Sequence, residues 1–411
     1  MPRLGNGRND ELKSNRVSVL ATAAMLAFGL TACGVIGSAA DDSPIVIGAD
    51  LELTGPYAAV GKVYQNALQL EVAQLNAAGG AGGHPVQLVI RDNHSQAQTA
   101  TSDIASLTQQ DVAAIVTGAC GECSAAVMKT LNAKQIPTIS LAPADLADLT
   151  TQGTLVSGSS SYLFKLNPNP ADNAAVLSAQ MQTDTNAHKY AILATSNDGY
   201  GPALTKDVQT YAEKAQLEPV APQQVAASAN ETGLRQAVHD ALSQSPDAMV
   251  VSLLPAQATQ VVALARNEDY HGPFYFDAIA GGDLFLPSQG AMVGVKMVAP
   301  QSLVIDDIIA TSPAQTARKQ WFAAYTSKYG TFSAYSLYAA DAARIISSAV
   351  ANAGGTGHDQ LRNAIEATQL EGLSGPLRFT PDDHSGLTSQ ALADVKMTDD
   401  NRWHLATGAN S

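Results

Sequence analysis

The sequence predicts an α/β protein built as two doubly wound, parallel-sheet lobes, and three observations carry that reading. Short apolar strands alternate with helices through short connections, which is the pattern of parallel strands joined by right-handed crossovers. The alternation breaks at Asn167-Pro168-Asn169-Pro170, where proline lacks a donor and restricts its predecessor, and then restarts. A chain of 411 residues is also more than one core usually organises.

In order, Ile45 to Asp50 reads as a short buried strand, and Thr54-Gly55-Pro56 as a turn. A helix from Tyr57 carries Tyr64, Ala67, Leu68, Val72 and Leu75 at helical spacing, and Asn76 with the glycines at 79, 80, 82 and 83 stops it. Strand 86–90, a helix near 97–109, strand 112–117, a helix 124–134 and strand 136–141 follow. After 165 come helix 171–182, strand 190–194, helix 203–215, strand 219–225, helix 231–243, strand 248–253, helix 257–267 and strand 274–276. Beyond Pro300 lie helices 313–329, 334–352 and 359–368, then strands near 376–380 and 392–397. Two such sheets side by side suggest a ligand in the cleft between them, at the C-terminal ends of strands.

The first residues are a basic stub (Arg3, Arg8, Lys13, Arg16) and an apolar run from Val17 to Leu30. That run is too short to span a bilayer and reads as a secretory signal. Leu30-Thr31-Ala32-Cys33 resembles the lipobox of bacterial lipoproteins, which implies a signal peptide of residues 1–32, acylation of Cys33 and a linker over 33–43. Loss of four basic and two acidic residues would move the formal charge from −14 to about −16. Such a balance argues against nucleic acid, which needs a basic face, and leaves membrane attachment to lipid at Cys33.

Cys120 and Cys123 are spaced C-x-x-C. In an oxidising compartment they are expected to form a local disulfide, with a thioredoxin-like redox pair as the sharper alternative. The eight histidines are scattered without metal-ligand spacing, and no Gly-x-Ser-x-Gly elbow, H-E-x-x-H helix or P-loop occurs, so no cofactor, metal or catalytic residue is expected.

Leu51-Glu52-Leu53-Thr54-Gly55-Pro56, Gly61, Asn76-Ala77-Ala78-Gly79-Gly80, Arg91-Asp92-Asn93, Ile136 to Ser140, Asp198-Gly199-Tyr200-Gly201, Ser333-Ala334-Tyr335 and Leu373 to Leu377 with Phe379 and Asp382 occur in an order that resembles the leucine/isoleucine/valine-binding protein family. These are type I periplasmic binding proteins serving ABC importers, and the resemblance runs over residues 44–405. It implies two lobes joined by a three-crossover hinge that closes on a ligand without catalysis. The expected division is 44–166 plus 302–376 for the first lobe and 167–301 plus 377–409 for the second.

The resemblance also places ligand contacts. The loop Ala119 to Ser124 stands where the family has its serine-rich carboxylate loop, so Cys123 and Ser124 are candidates, with Ser124 alternatively a helix cap. Tyr200 matches a tyrosine that covers the ligand from the second lobe. Asp277 stands near the family's acid for an ammonium group, or caps a turn. Departures from the family pattern bear on specificity. Leu141-Ala142-Pro143-Ala144-Asp145 replaces Pro-x-Ala-Thr, which makes Ala142, Ala144 and Asp145 candidates, and Asp145 either adds an acid to the cleft or caps a turn. Leu254, in Leu253-Leu254-Pro255, stands where some members have a tyrosine. A branched-chain amino acid is therefore doubtful, and the added acids favour a cationic or amine-bearing ligand. The expected partners are a small polar molecule such as an amino acid and an ABC permease, with the protein a monomer held outside the cytoplasm by its lipid. A ligand sensor for a receptor and a thiol-redox protein are the alternatives.

Overall fold

Apolar runs buried on both faces make the central strands of a parallel sheet, and the first such run is β1 (Ile45–Leu51), whose residues are buried except the partly exposed Val46. A computed structural model describes residues 43–146, 161–183, 188–196, 198–286 and 290–406. β1 is followed by α1 (Ala58–Ala77), β2 (Val86–Asp92), α2 (Ala97–Leu107), β3 (Ala114–Thr117), α3 (Gly121–Ala133), β4 (Thr138–Ser140) and β5 (Leu163–Lys165). The strands form a parallel sheet in the order β2-β1-β3-β4-β5.

The second sheet begins after α4 (Pro170–Gln182). It contains β6 (Lys189–Thr195), α5 (Tyr200–Lys214), β7 (Glu218–Pro219), β8 (Gln223–Val225), α6 (Glu231–Leu242), β9 (Ala248–Ser252), α7 (Pro255–Asn267), β10 (Phe274–Phe276), α8 (Ala278–Gly281) and β11 (Lys296–Pro300). A 3-10 helix, Gln301–Asp307, leads to α9 (Pro313–Tyr329), α10 (Tyr335–Ala353), α11 (His358–Glu366), β12 (Gln369–Glu371) and β13 (Pro376–Arg378); β14 (Leu392–Met397) and β15 (Trp403–Leu405) close the described chain. The second sheet runs β15-β14-β11-β10-β9-β6-β7, with β8 also on β6, and β14 and β15 are its antiparallel strands. α9 starts cleanly because Ser312 Oγ accepts from the Gln315 amide at 3.2 Å and Pro313 needs no donor.

α9 and α10 return to the first sheet. Trp321 Nε1 and Arg344 Nε donate to Glu71 of α1 at 2.9 and 2.8 Å, and Tyr64 meets Tyr335 edge-on. The chain therefore passes between the sheets three times, at 166–169, 308–312 and 386–391.

Two boundaries differ from the expected division. Residues 301–307 pack on β14 and β15, where Asp307 takes Arg402 at 3.0 Å, so they belong with the second sheet. Residues 377–385 stay with the first, because β13 pairs with β12, Phe379 packs on Phe164 and His384 O accepts from Lys165 N at 2.9 Å. Strand 219–225 splits into β7 and β8 around Pro222. Strands β5, β11, β12 and β15 were not among the expected elements, and α3 starts at Gly121 rather than Ser124.

Candidate functional site

Parallel strands end in loops that gather polar groups, and the loops of the first sheet are organised by one buried acid. Glu52, directly after β1, is fully buried. Its Oε2 accepts from the Ala119 amide at 2.9 Å and its Oε1 from the Cys120 amide at 3.3 Å and from Asn93 Nδ2 at 3.2 Å. Burial raises its pKa, against these three donors. Gly118 is required beside it, since a Cβ there would lie 2.2 Å from Oε2. Asn93 also donates to Asp50 Oδ2, and burial, with Glu52 and Asp103 nearby, lifts Asp50 to about 8.

The loop fixed by Glu52 carries the expected disulfide: Cys120 and Cys123 are bonded. Cys120 caps α3, accepting at Sγ from the Cys123 amide at 3.1 Å. Glu52, Cys120 and Cys123 are close enough together to share an ion, but a disulfide offers no thiolate ligand. Ser124 is not the cap. It lies one turn into the helix, buried, with Oγ on Thr117 Oγ1 at 3.1 Å. The first-turn amides of Gly121 and Glu122 have no intrahelical acceptor, and they point from the N-terminus of a thirteen-residue helix.

Facing this loop is the start of α5. The Asp198 carboxylate accepts from the Tyr200 and Gly201 amides at 3.1 and 2.9 Å. Its carbonyl oxygen comes so close to α3 that a Cβ at Gly121 would lie 2.0 Å from it, so the two lobes touch here through a glycine. Tyr57 joins the same contact. Burial first, then Asp198, Glu52 and Glu122, push its phenol pKa up. Pro56, Tyr57, Ser95, Cys120 and Glu122 from one lobe and Ser196, Ala226, Ala227 and Ser228 from the other line a cleft of about 330 Å³.

None of the eight side chains expected at a ligand belongs to that lining. Tyr200 and Asp277 do meet: Tyr200 OH donates to Asp277 Oδ2 at 2.9 Å, Ser252 Oγ donates to the same oxygen at 2.7 Å, and Asp277 Oδ1 caps α8 through the Ala280 amide at 3.2 Å. Burial raises Asp277 to about 6 despite these donors. Leu254 caps α7 without a side-chain bond. Ala142 and Ala144 are buried after β4, and the Ala142 amide donates to Ser140 Oγ. Asp145 is half-buried, on the side of Lys165. Cys33 and the 1–32 segment lie outside the described residues.

Glu52, Asn93, Tyr57, Ser95 and Asp198 are the organising residues that reading the sequence does not single out. Apart from Tyr57, their signal is a polar side chain at or just past the C-terminal end of a strand, and Glu52, Asn93 and Asp198 sit inside motifs quoted only for their resemblance.

Two doubly wound sheets meet at their strand ends over a small polar cleft, and the comparisons decide the family. The profile of a family described as periplasmic binding protein matches residues 44–401. The chain belongs to that family. Among solved members of the fold, an extracellular ligand-binding receptor from Rhodopseudomonas palustris HaA2 is 18% identical over 89% of this chain and 100% of its own, with a TM-score of 0.78. A branched-chain amino acid transporter substrate-binding protein, LivJ, from Streptococcus pneumoniae, solved with isoleucine, is 22% identical over 90% of this chain and 99% of its own, TM-score 0.72. A solute-binding protein of an ABC transporter from R. palustris, solved with benzoate, is 16% identical over 89% and 96%, TM-score 0.76. The periplasmic binding protein family is a class of solute-binding proteins, and no described helix of this member is long and apolar enough to cross a membrane.

Proposed function

We propose that this periplasmic binding protein is the solute-capturing component of an ABC importer, closing its two lobes on an amino acid or a related amine-bearing molecule and delivering it to a membrane permease. The observation that carries the reading is the meeting of Gly121 with Asp198 beside a polar cleft of about 330 Å³, a volume at the small end of ligand sites. The chain works as a monomer outside the cytoplasm, with residues 1–32 removed and Cys33 acylated as its anchor.

Charge favours the amine. Glu52, Asp92, Glu122, Asp145, Asp198 and Asp277 stand at or just after strand C-termini, where the cations are Arg91 in β2 and the buried Lys165 at the end of β5. An ammonium would be attracted to these loops, and a lone carboxylate would have only helix amides such as those of Gly121 and Glu122. Asp277 already receives three donors, so it offers a ligand at most one remaining lone pair. Outside the cleft lining, the family-matched candidates of the second lobe remain Tyr200 and Asp277, which bond each other, and Leu254 at the head of α7. Those of the first lobe are Cys123, Ser124, Ala142, Ala144 and Asp145, also outside that lining.

A thermal-shift screen against amino acids, amides, polyamines and small aromatic acids tests the reading. A ligand at a hundred times its dissociation constant stabilises the fold by about 2.7 kcal/mol, a shift of a few degrees. Ammonium-bearing compounds are expected to produce it. A shift with benzoate alone would overturn the ligand class, and no shift with any compound would count against solute capture.

A further inference from the structure

Lys165 is a fully buried lysine at the end of β5, immediately before the first crossover, and solute capture at the cleft gives it no role. Its ammonium donates to the Asn167 carbonyl at 2.5 Å and to Asn169 Oδ1 at 2.9 Å. Both acceptors are residues of the crossover itself. Asn169 Oδ1 also accepts from Ser385 Oγ at 3.1 Å, just ahead of the third crossover. The backbone of Lys165 binds the same returning segment, accepting from the Gly386 amide and donating to His384 O, both at 2.9 Å. The contact extends to the loop after β4: Asn167 Nδ2 donates to the Leu141 carbonyl, which also takes Tyr64 OH at 3.1 Å, and Leu141 opens the loop that carries Ala142, Ala144 and Asp145.

We infer that Lys165 is a positioning residue for lobe closure: its ammonium clamps the first and third crossovers to each other and to the loop after β4, in the arrangement where Gly121 touches Asp198. A neutral amine would hold the same acceptors more weakly, because hydrogen bonds from a charged donor are about twice as strong. The charged groups around it come from each neighbouring segment: Asp145 from the loop after β4, Asp172 from α4 and Asp383 from the segment before the third crossover. His384 is turned to Leu163 O and Glu366 instead. Burial pulls the Lys165 pKa down to about 8 against the three aspartates, so the clamp loses its charge within an accessible pH range.

Hydrogen exchange at the Lys165 and Gly386 amides, corrected for intrinsic rates, and small-angle scattering at pH 7 and pH 9 test this without a known ligand. Wild type is expected to lose protection at both amides by roughly fivefold to tenfold on going to pH 9, the difference between charged and neutral donors, and to expand. Lys165→Met should be expanded and weakly protected at both pH values. Lys165→Arg, which keeps its charge, should stay compact and protected at both. Asn169→Ala, which removes one acceptor and leaves the lysine in place, should reproduce part of the loss at pH 7 and serves if Lys165→Met does not fold. Wild type indifferent to pH, or both Lys165→Met and Asn169→Ala as compact and protected as wild type at pH 7, would overturn the inference.

Discussion

Glu52 spends its charge on the protein itself: one carboxylate holds Ala119, Cys120 and Asn93, and so fixes the loop that faces the other lobe. Glu52→Gln replaces one acceptor oxygen with a donor against these donors. It should cost about 2–3 kcal/mol, read as a lowered urea midpoint with an unchanged slope. Asp50 makes an opposite prediction. Its Oδ1 and Asp103 Oδ2 are buried without donors, while burial lifts the Asp50 pKa from 3.8 to about 8. The folded chain therefore holds this proton more tightly than the unfolded chain between those values. Asp50 costs nothing below about pH 4 and destabilises the fold increasingly as pH rises towards 8. Asp50→Asn, whose amide can donate as the protonated acid does, should be more stable than wild type by a margin that grows from pH 5 to pH 8 in urea titrations. Equal margins at both pH values would contradict the buried proton.

At the scale of elements, α3 is the piece that brings first-turn amides, disulfide and Gly121 to the lobe contact. A disulfide closing so short a loop contributes about 2 kcal/mol on the chain-entropy account. The double substitution Cys120→Ser, Cys123→Ser should lose less than that, because serine caps a helix well; thermal melts with and without reductant check it. Most elements were legible because their apolar periodicity is strong, as in α1 and β1. Three of the four missed strands share a physical reason. β5, β12 and β15 are three residues each, too short to show a period, and β5 takes its partners from β4 on one side and from the returning segment at 384–386 on the other. β7 and β8 were fused because the apolar pattern runs through Pro222. Ser124 reads as a cap because serine is a favoured one, while the sulfur of Cys120 does the capping four residues earlier.

For the whole molecule, the fold and family were visible in the order of motifs, whereas the site was visible only in part. Tyr200 and Asp277 meet as partners of each other, a relation between residues 77 positions apart that no local pattern reports. The lobe contact at Gly121 and Asp198 was hidden for the same reason. That contact is also where the account is most exposed. Gly121→Val places a branched side chain against the Asp198 carbonyl and should hold the lobes apart while leaving each lobe's core untouched. The decisive measurement is calorimetric titration of wild type and Gly121→Val with whichever compound gives the largest thermal shift. One site per chain in wild type, with affinity lost by at least about tenfold in the variant and no change in its ligand-free melting temperature, is the predicted result. Equal affinity in both chains would mean that the ligand is not held between closing lobes.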